Sequence, residues 1–221
     1  MVSDIHMGTL VGQNRLSHIV DKINAMKPDI VVFAGDVVDE DVGPVIRQNL
    51  GSALLKIKAP LGVYAITGNH EYIGGAGSAV KYLQEHGIKV LRDTSVLIDN
   101  NFYLIGREDK DSRRFSGLIR KPVSELVQGL KGGFAKILLD HQPFDLQNAT
   151  ASGINLSLSG HTHHGQLWPF NLITRAVFER SYGYLKKENT HYYISCGAGT
   201  WGPPVRTSSR PEIVELSLLP E

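Results

Sequence analysis

The sequence predicts a domain of the α/β class, because short apolar runs alternate with helical patterns over its first two-thirds and tight strand pairs follow. Four apolar runs have the length and composition of buried strands, and they cover residues 30–34, 63–67, 135–139 and 154–158. Strands that alternate with helices indicate an α/β layer. Strand pairs joined by tight turns indicate that the sheet is mixed or that a second sheet is present.

Apolar residues at helical spacing fill the segments between these runs. We expect helices over residues 16–26, 46–57, 79–87 and 122–130, the second with the least regular spacing. Gly87 is placed to end the third helix. Pro122 suits the first turn of the fourth helix, where its missing N–H is not needed.

The later part of the chain contains hairpin signals and an aromatic segment. We expect strands over residues 95–98, 102–105, 192–195 and 212–218. The first two flank Asp99, Asn100 and Asn101, which are typical turn residues. Segment 166–185 holds five aromatic residues and two arginines. It predicts either an ordinary covered loop or a lid or membrane-facing rim, since aromatics and arginines favour interfaces.

Length and composition limit the classes of protein that this chain can represent. Its 221 residues suit one domain over residues 1–221, and 42% of them are hydrophobic, enough for a substantial core. The net charge is +1, and basic residues form no long run, which argues against a nucleic-acid partner. The single cysteine, Cys196, excludes an intrachain disulfide, and its apolar neighbours predict a buried structural thiol.

Polar residues that bind metals follow the apolar runs, where ligands gather in open α/β sheets. The candidate ligands are Asp4, His6, Asp36, Asn69, His141, His161 and His163. Alternate residues of an extended segment point the same way. We therefore expect Asp4 and His6 to face one ion together, with Ile5 turned into the core, and His161 and His163 to do the same.

Glycine precedes three of these ligands, at Gly35, Gly68 and Gly160. A residue without Cβ lets the backbone turn sharply and bring the next side chain close to an ion. The donor set of carboxylate, amide and imidazole, without thiolate, suits Mn, Fe, Zn or Co. Two-metal hydrolases hold their ions ~3.5–4 Å apart. Asp36 is the best candidate to bridge two ions, because the flanking motifs divide on either side of it.

The order of these motifs resembles that of the calcineurin-like metallophosphoesterase family. The motifs are D-x-H, GD-x-x-D, GNHE, a lone strand-end histidine and GHTH, and they extend over nearly the whole chain. The resemblance implies a four-layer α/β/β/α sandwich of two mixed β-sheets flanked by helices, with the site between the sheet ends. It also implies a hydrolase that cleaves a phosphomonoester, phosphodiester or pyrophosphate bond by metal-activated hydroxide.

The resemblance further implies a role for each motif residue. It assigns one ion to Asp4, His6, Asp36 and His163, and a second ion to Asp36, Asn69, His141 and His161. His70 matches the family's non-ligand histidine, which contacts the phosphate or protonates the leaving group. Asp39 matches the acid that orients that histidine, and Asn69 also helps to orient the phosphate. The cofactors are then two divalent transition-metal ions, with Mn, Zn or Fe as the leading candidates.

Two further segments resemble a narrower bacterial subgroup whose members are often membrane-anchored or exported. These are GHTHHGQLWP and the tail GAGTWGPPVR. The usual form of the first is GHTHGG, and here His164 replaces a glycine. His164 is either a passenger or a substrate contact. Arg206 is a second candidate substrate contact, since a guanidinium can grip phosphate oxygens.

The substrate predicted from these features is a small phosphorylated compound, and a lipid-linked pyrophosphate is an alternative that suits the aromatic segment. A non-catalytic metal-binding scaffold is a second alternative, although it would not need every ligand and His70. Only three residues precede Asp4, fewer than a strand of about five or six residues requires. We therefore expect the natural protein to begin upstream of Met1, with a membrane anchor or export signal there. A genuine start at Met1 with a short strand is the alternative.

Overall fold

Two β-sheets lie face to face at the centre of this computed structural model, which describes residues 1–219. The helices are α1 (Gln13–Ala25), α2 (Val42–Arg47), α3 (Gly51–Leu54), α4 (Asn69–Gly74), α5 (Ala76–Glu85), α6 (Ser112–Ser116), α7 (Val123–Leu126), α8 (Leu146–Ala151) and α9 (Phe170–Val177). The strands are β1 (Val31–Ala34), β2 (Val63–Ile66), β3 (Lys89–Val90), β4 (Thr94–Ile98), β5 (Phe102–Gly106), β6 (Ala135–Leu139), β7 (Leu156–Ser159), β8 (Gly183–Lys187) and β9 (Thr190–Ile194).

The smaller sheet has the order β1-β2-β3, and its strand pairs are parallel. The first residues of the chain lie beside β1 on its other side. The Val2 N–H donates to Val32 O at 2.9 Å, and the Asp4 N–H donates to Gly35 O at 3.1 Å. These bonds place the D-x-H motif at the carboxyl end of β1, next to the GD motif.

The larger sheet has the order β4-β5-β6-β7-β9-β8 and is mixed. Strands β5, β6, β7 and β9 run parallel, while β4 and β8 pair antiparallel at the two edges. The hairpin predicted around Asp99 and Asn100 is confirmed, and both residues have the positive φ that the turn requires.

Three apolar clusters show four layers. Val32, Ile66, Leu104 and Leu139 belong to a cluster between the two sheets. A second cluster joins the outer face of the smaller sheet to α1, α3 and α5, and a third joins the outer face of the larger sheet to α7 and α8. Side chains on β5 alternate between the cluster that separates the two sheets and the cluster on the outer face of the larger sheet. Leu104 belongs to the first of these and Tyr103 to the second, as strand periodicity requires. The predicted α/β fold of two sheets flanked by helices is confirmed. The prediction that both sheets are mixed is wrong for the smaller sheet, whose named strands pair only in parallel within residues 1–219.

The predicted helices are present, but several of their limits differ. In α1, Leu16, Ile19, Val20 and Ile23 are buried on one face, which confirms the spacing of apolar residues. The helix predicted over 46–57 is instead divided into α2 and α3, because Asn49 between them adopts a left-handed conformation with φ of 51°.

The other two helices also shift by several residues. Helix α5 begins at Ala76, three residues before the predicted start, and Gly87 follows its end with φ of 81°. The helix predicted over 122–130 ends at Leu126, so this prediction was too long. Pro122 is the capping residue before this helix and not a member of its first turn.

One predicted strand is wrong, and the strands β3 and β8 were not predicted. Residues 212–218 form no strand, although Val214 exchanges two backbone hydrogen bonds with Met1, at 2.8 and 2.9 Å. The aromatic segment 166–185 contains α9 and the first residues of β8, so it is not a plain loop. Strand β7 lies at Leu156–Ser159, slightly later than predicted. Among residues 1–219, no helix has the length and apolar character needed to cross a membrane.

Candidate metal centre

The predicted ligands converge at the carboxyl ends of the central strands. Asp36 follows β1, and Asn69 begins α4 after β2. His141 follows β6, while His161 and His163 follow β7. Because parallel strands end at the same edge of a sheet, residues far apart in the sequence meet there. The 3₁₀ turn His163–Gly165 closes this side of the site.

The ligand loops adopt an unusual backbone conformation. Asp4, His6, Asp36, His161 and His163 all have positive φ, between 46° and 71°. The prediction that regular extended spacing aligns Asp4 with His6 is therefore wrong in detail, although Ile5 between them is buried as expected. Left-handed conformations cost a non-glycine residue ~1–2 kcal/mol, and such strain concentrates at functional sites.

Asp4, His6 and His163 form the first ligand group, with ligand atoms all within 4.8 Å of one another. His6 Nε2 lies 3.0 Å from His163 Nε2, and His163 Nε2 lies 3.5 Å from Asp4 Oδ1. All three side chains are buried. Two imidazole nitrogens and a carboxylate oxygen therefore point to one small volume.

Asp36, His141 and His161 form the second group, under the same 4.8 Å limit. His161 and His163 thus lie in different groups, so the prediction from their spacing that they face one ion together is wrong. His141 Nε2 lies 3.1 Å from Asp36 Oδ2, and Asn69 Oδ1 lies 2.9 Å from His161 Nδ1. Asp36 Oδ2 is also 3.8 Å from His6 Nε2 of the first group. Asp36 thus stands between the two groups, which is where a bridging carboxylate must be.

The residues of both groups fit a pair of divalent cations. His141 Nε2 is fully buried and has no hydrogen-bond partner among residues 1–219. The Nδ1–H of the same ring donates to Ala34 O at 2.7 Å, which leaves the Nε2 lone pair directed at Asp36. Burying such an acceptor without a partner is costly. A cation beside Asp36 would satisfy it.

The charges in the cluster favour the metal-binding forms of Asp36, His161 and His163. Burial would lower the pKa of His141, but the charge of Asp36 raises it well above its usual range, so an ion would replace a proton on that ring. Burial would raise the pKa of Asp36, but the charges of His141, His6 and His70 hold that pKa well below its usual range. Burial, together with the charge of the nearby His141, lowers the pKa of His161 to about 4. Burial also lowers the pKa of His163, together with His6 and Arg206. Asp36 is therefore ionised, and His161 and His163 are neutral at pH 7.

The three glycines before the ligands are required by close contacts. A Cβ on Gly35 would overlap the His141 ring, and Gly35 has φ of 89°. A Cβ on Gly68 would overlap the Asp36 carboxylate, and one on Gly160 would overlap the Asp4 carboxylate. Each glycine therefore lets a neighbouring strand end bring its own ligand close, as the sequence predicts.

His70 and Asp39 lie at the edge of the first group. Asp39 Oδ1 is 3.0 Å from His70 Nδ1 and 3.2 Å from His6 Nδ1, so one carboxylate orients both rings. The backbone N–H of His70 donates to Asp36 Oδ1 at 2.9 Å. Burial would lower the pKa of His70, but the hydrogen bond with Asp39 and the charge of Asp36 raise it.

Glu71 has a part in the site that the sequence analysis did not assign. Its buried carboxylate accepts the N–H groups of Asp36 at 3.1 Å, Val38 at 2.8 Å and Gly68 at 2.7 Å. It therefore ties the loop after β1 to the loop after β2, and each loop carries a ligand. Its place in the GNHE motif, directly after His70, is the signal that could have identified it.

The two predicted substrate contacts have other partners in the structure. The Arg206 guanidinium donates to Gly199 O at 3.0 Å, to Ser209 Oγ at 2.9 Å and to His163 Nδ1 at 3.1 Å. These bonds place Arg206 behind a metal ligand. His164 lies against Ser181 and the Tyr182 ring. A substrate contact by Arg206 or His164 stays a prediction.

The remaining histidines and the cysteine lie outside both ligand groups. His86 is the C-cap residue of α5, and its Nδ1–H donates to Tyr82 O at 2.7 Å. His191 pairs with the Tyr184 hydroxyl at the protein surface. Cys196 is buried, and burial, with the charge of Glu212, raises the pKa of its thiol to about 12. This environment agrees with a structural thiol.

Aromatic rings line the opening of the site. The Phe178 ring lies 6.0 Å from the His161 ring, and the Trp201 ring lies 6.5 Å from the His70 ring. Phe178 also contacts Phe144, at 4.7 Å between ring centres. Aromatic surface therefore lies beside both ligand groups.

The fold and this cluster define a metal-dependent hydrolase, and comparison with known proteins specifies its family. The profile of the calcineurin-like phosphoesterases matches residues 1–165. An uncharacterized metallophosphoesterase of Aquifex aeolicus is 33% identical over 218 residues, which are 98% of this chain and 82% of that protein. The chain belongs to the calcineurin-like phosphoesterase family and is a metallophosphoesterase.

Other relatives are longer than this chain. An uncharacterized metallophosphoesterase of Campylobacter jejuni is 34% identical over 99% of the chain, which spans 58% of that protein. A transmembrane protein with metallophosphoesterase domain from Danio rerio is 32% identical over 99% of the chain, which spans 52% of it. The chain thus corresponds to little more than half of these two proteins.

Solved structures support the fold. A 5'-nucleotidase precursor from Thermus thermophilus superposes with a TM-score of 0.55 at 18% identity, covering 86% of this chain and 44% of that one. A sulfate thiohydrolase, SoxB, from the same genus superposes with a TM-score of 0.53 at 16% identity, covering 83% of this chain and 38% of that one. At such identities the likeness concerns the fold alone.

Proposed function

We propose that this chain is a binuclear phosphoesterase that binds two divalent transition-metal ions, of the Mn, Zn or Fe type. Asp4, His6 and His163 would hold one ion, and Asn69, His141 and His161 would hold the other. The observation that carries this proposal is the position of Asp36, 3.1 Å from His141 and 3.8 Å from His6, between the two groups. A non-catalytic scaffold would need neither this bridge nor His70 beside it.

The residues around the ions have distinct tasks in the reaction. Two ions held by these residues would supply the acidity that activates water and the positive charge that neutralises phosphoryl oxygens. The His70 ring lies edge-to-face with the His6 ring, with 4.5 Å between the ring centres. In this position His70 donates a proton to the departing oxygen. Asp39 holds the His70 ring in position through Nδ1. Asn69 orients the phosphate beside the second group.

The expected substrate is a small phosphomonoester, phosphodiester or pyrophosphate. A lipid-linked pyrophosphate is a second candidate, and the apolar opening of the site favours it. Trp201 is 54% exposed beside His70, on the side where the leaving group departs. A lipid-bearing leaving group would pack its apolar part on this exposed ring.

The substrate proposal is tested by an activity panel with the metal-loaded protein. The panel contains p-nitrophenyl phosphate, bis-p-nitrophenyl phosphate, and nucleotide and lipid pyrophosphates, each assayed with Mn, Zn or Fe. We expect turnover of at least one class and close to two metal ions for each chain by elemental analysis. One ion for each chain at full activity, or no turnover of any class at full occupancy, would contradict the proposal.

Replacing His70 tests the proton-donor role. His70→Ala should retain both ions and lose rate by roughly 10²–10⁴-fold, with a smaller loss for substrates that have good leaving groups. His18→Ala, on the outer helix α1, is the matched control and should leave the rate unchanged. An equal loss for good and poor leaving groups would assign His70 to phosphate binding instead.

A further inference from the structure

Helix α9 is amphipathic, but its apolar face is exposed and its polar face packs against the protein. Its half-buried residues include Asn171 and Thr174, whereas Leu172, Ile173 and Val177 are each 56–57% exposed. A helix normally buries its apolar stripe and exposes its polar one. The exposed apolar face of α9 is thus unexplained by the packing of residues 1–219.

A second exposed apolar segment surrounds the end of α6. Phe115 and Leu118 are exposed, and Ile119 is 73% exposed. Arg113 and Arg114 precede these residues within α6, and Lys110 lies just before the helix. Apolar side chains and cations therefore alternate along a short stretch of surface.

Both segments adjoin the metal centre. Helix α6 packs against α4, which carries Asn69 and His70, and α9 packs against the 3₁₀ turn that begins at His163. A chain of contacts connects the two sides. Lys110 lies 3.7 Å from the centre of the Phe144 ring, Phe144 touches Phe178, and Phe178 adjoins His161.

The cations on these segments are available to a partner. Lys110, Arg113, Arg114, Arg175 and Arg180 form no ion pair with any carboxylate of the described part of the chain. Exposed apolar patches mark interaction sites. Apolar side chains combined with unpaired cations are the composition that binds to an anionic lipid surface, where apolar groups insert and cations meet headgroups.

We propose that α9 and the segment 115–119 together form a membrane-docking surface that places the opening of the metal centre against an anionic bilayer. The partner is a lipid surface and not a second copy of the chain, because like cations on two copies would face each other across a symmetric contact. The proposal does not depend on the substrate, since docking is measured without turnover.

Sedimentation with vesicles tests this surface directly. The full chain is incubated with vesicles of phosphatidylcholine alone, or with 30 mol% phosphatidylglycerol, and the bound fraction is measured. We expect binding to the anionic vesicles that weakens as salt is raised. Ile173→Ser with Val177→Ser should weaken it by about tenfold or more. Arg175→Gln with Arg180→Gln should weaken it by about tenfold, on anionic vesicles only.

The matched control replaces apolar residues that are equally exposed elsewhere. Ile46 and Leu55 are 57% and 60% exposed on α2 and at the end of α3, outside the proposed surface. Ile46→Ser with Leu55→Ser should bind as the wild type does. Absence of vesicle binding, or equal loss with this control pair, would overturn the proposal. So would a dimer in light scattering that Ile173→Ser with Val177→Ser dissociates.

Tryptophan fluorescence gives an independent measure of insertion. The chain has two tryptophans, and Trp168, just before α9, is 71% exposed. In a Trp201→Phe variant, emission should shift to shorter wavelength on anionic vesicles, and lipids brominated along the acyl chain should quench it. An unshifted, unquenched Trp168 in sedimented protein would refute insertion by this segment.

Discussion

Glu71 provides the sharpest test of how the site is held together. Its carboxylate is fully buried and accepts three backbone N–H groups, from Asp36, Val38 and Gly68. Oε2 accepts two of them and Oε1 accepts the third. We predict that Glu71→Ala destabilises the fold strongly and that Glu71→Gln does so moderately.

The magnitude follows from counting the donors that lose an acceptor. A buried polar group left unpaired costs about 1–3 kcal/mol. Alanine at position 71 leaves three N–H groups unpaired, so the free energy of unfolding should fall by roughly 3–9 kcal/mol, a large part of a typical total of about 5–15 kcal/mol. Glutamine keeps one acceptor oxygen for the backbone N–H groups of Asp36 and Gly68. Its NH₂ group then faces the backbone N–H of Val38, so two donors meet and the Val38 N–H loses its acceptor. The loss should then be about 1–3 kcal/mol.

Urea unfolding, followed by circular dichroism, measures these differences. Glu125→Ala is the control, because Glu125 pairs with Lys121 on the surface and its loss should change stability by less than about 0.5 kcal/mol. Metal content should fall in both Glu71 variants, since the two loops that carry Asp36 and Asn69 lose their shared anchor. Stability of Glu71→Ala within about 1 kcal/mol of the wild type would refute the hydrogen-bond argument.

Two other predictions concern the bridge and the thiol. Asp36→Asn should lower the occupancy of both ions, because Asp36 lies between the two groups, whereas His161→Ala should lower the occupancy of chiefly one ion. Elemental analysis measures the metal content of both variants. Full occupancy with full activity in Asp36→Asn would exclude the bridge. Cys196→Ser should keep turnover within a few-fold of the wild type. Because burial raises the pKa of the Cys196 thiol to about 12, the thiol of the native protein should resist iodoacetamide at pH 8 until the protein unfolds. Rapid alkylation of folded protein, or lost turnover with both ions bound, would contradict a structural role.

The sequence alone predicted the fold class and the candidate metal-binding residues, which the structure brings together. Ligand-type residues directly follow apolar runs, and strands of one sheet end at one edge, so Asp36 was expected near Asn69 and His141 near His161. The face-to-face packing of the two sheets, which the sequence did not show, then brings Asp36 to His141. Gly35, Gly68 and Gly160 were also predictable, because each precedes a ligand and the structure confirms that a Cβ there would collide with another ligand. These features depend on residues close together in the chain.

The tertiary structure decided what depends on residues far apart. Glu71 and Arg206 receive their partners from other loops, and no local pattern states which N–H or ring nitrogen will lie within 3 Å. Residues 212–218 have the composition of a strand, but they meet Met1 through one residue, Val214, and so form no ladder. Helix α9 lies in segment 166–185, for which the sequence predicted a loop, a lid or a rim but no helix, and its apolar face is exposed. Which face a helix buries is set by the surface against which it packs, and that surface is assembled only when the whole chain folds.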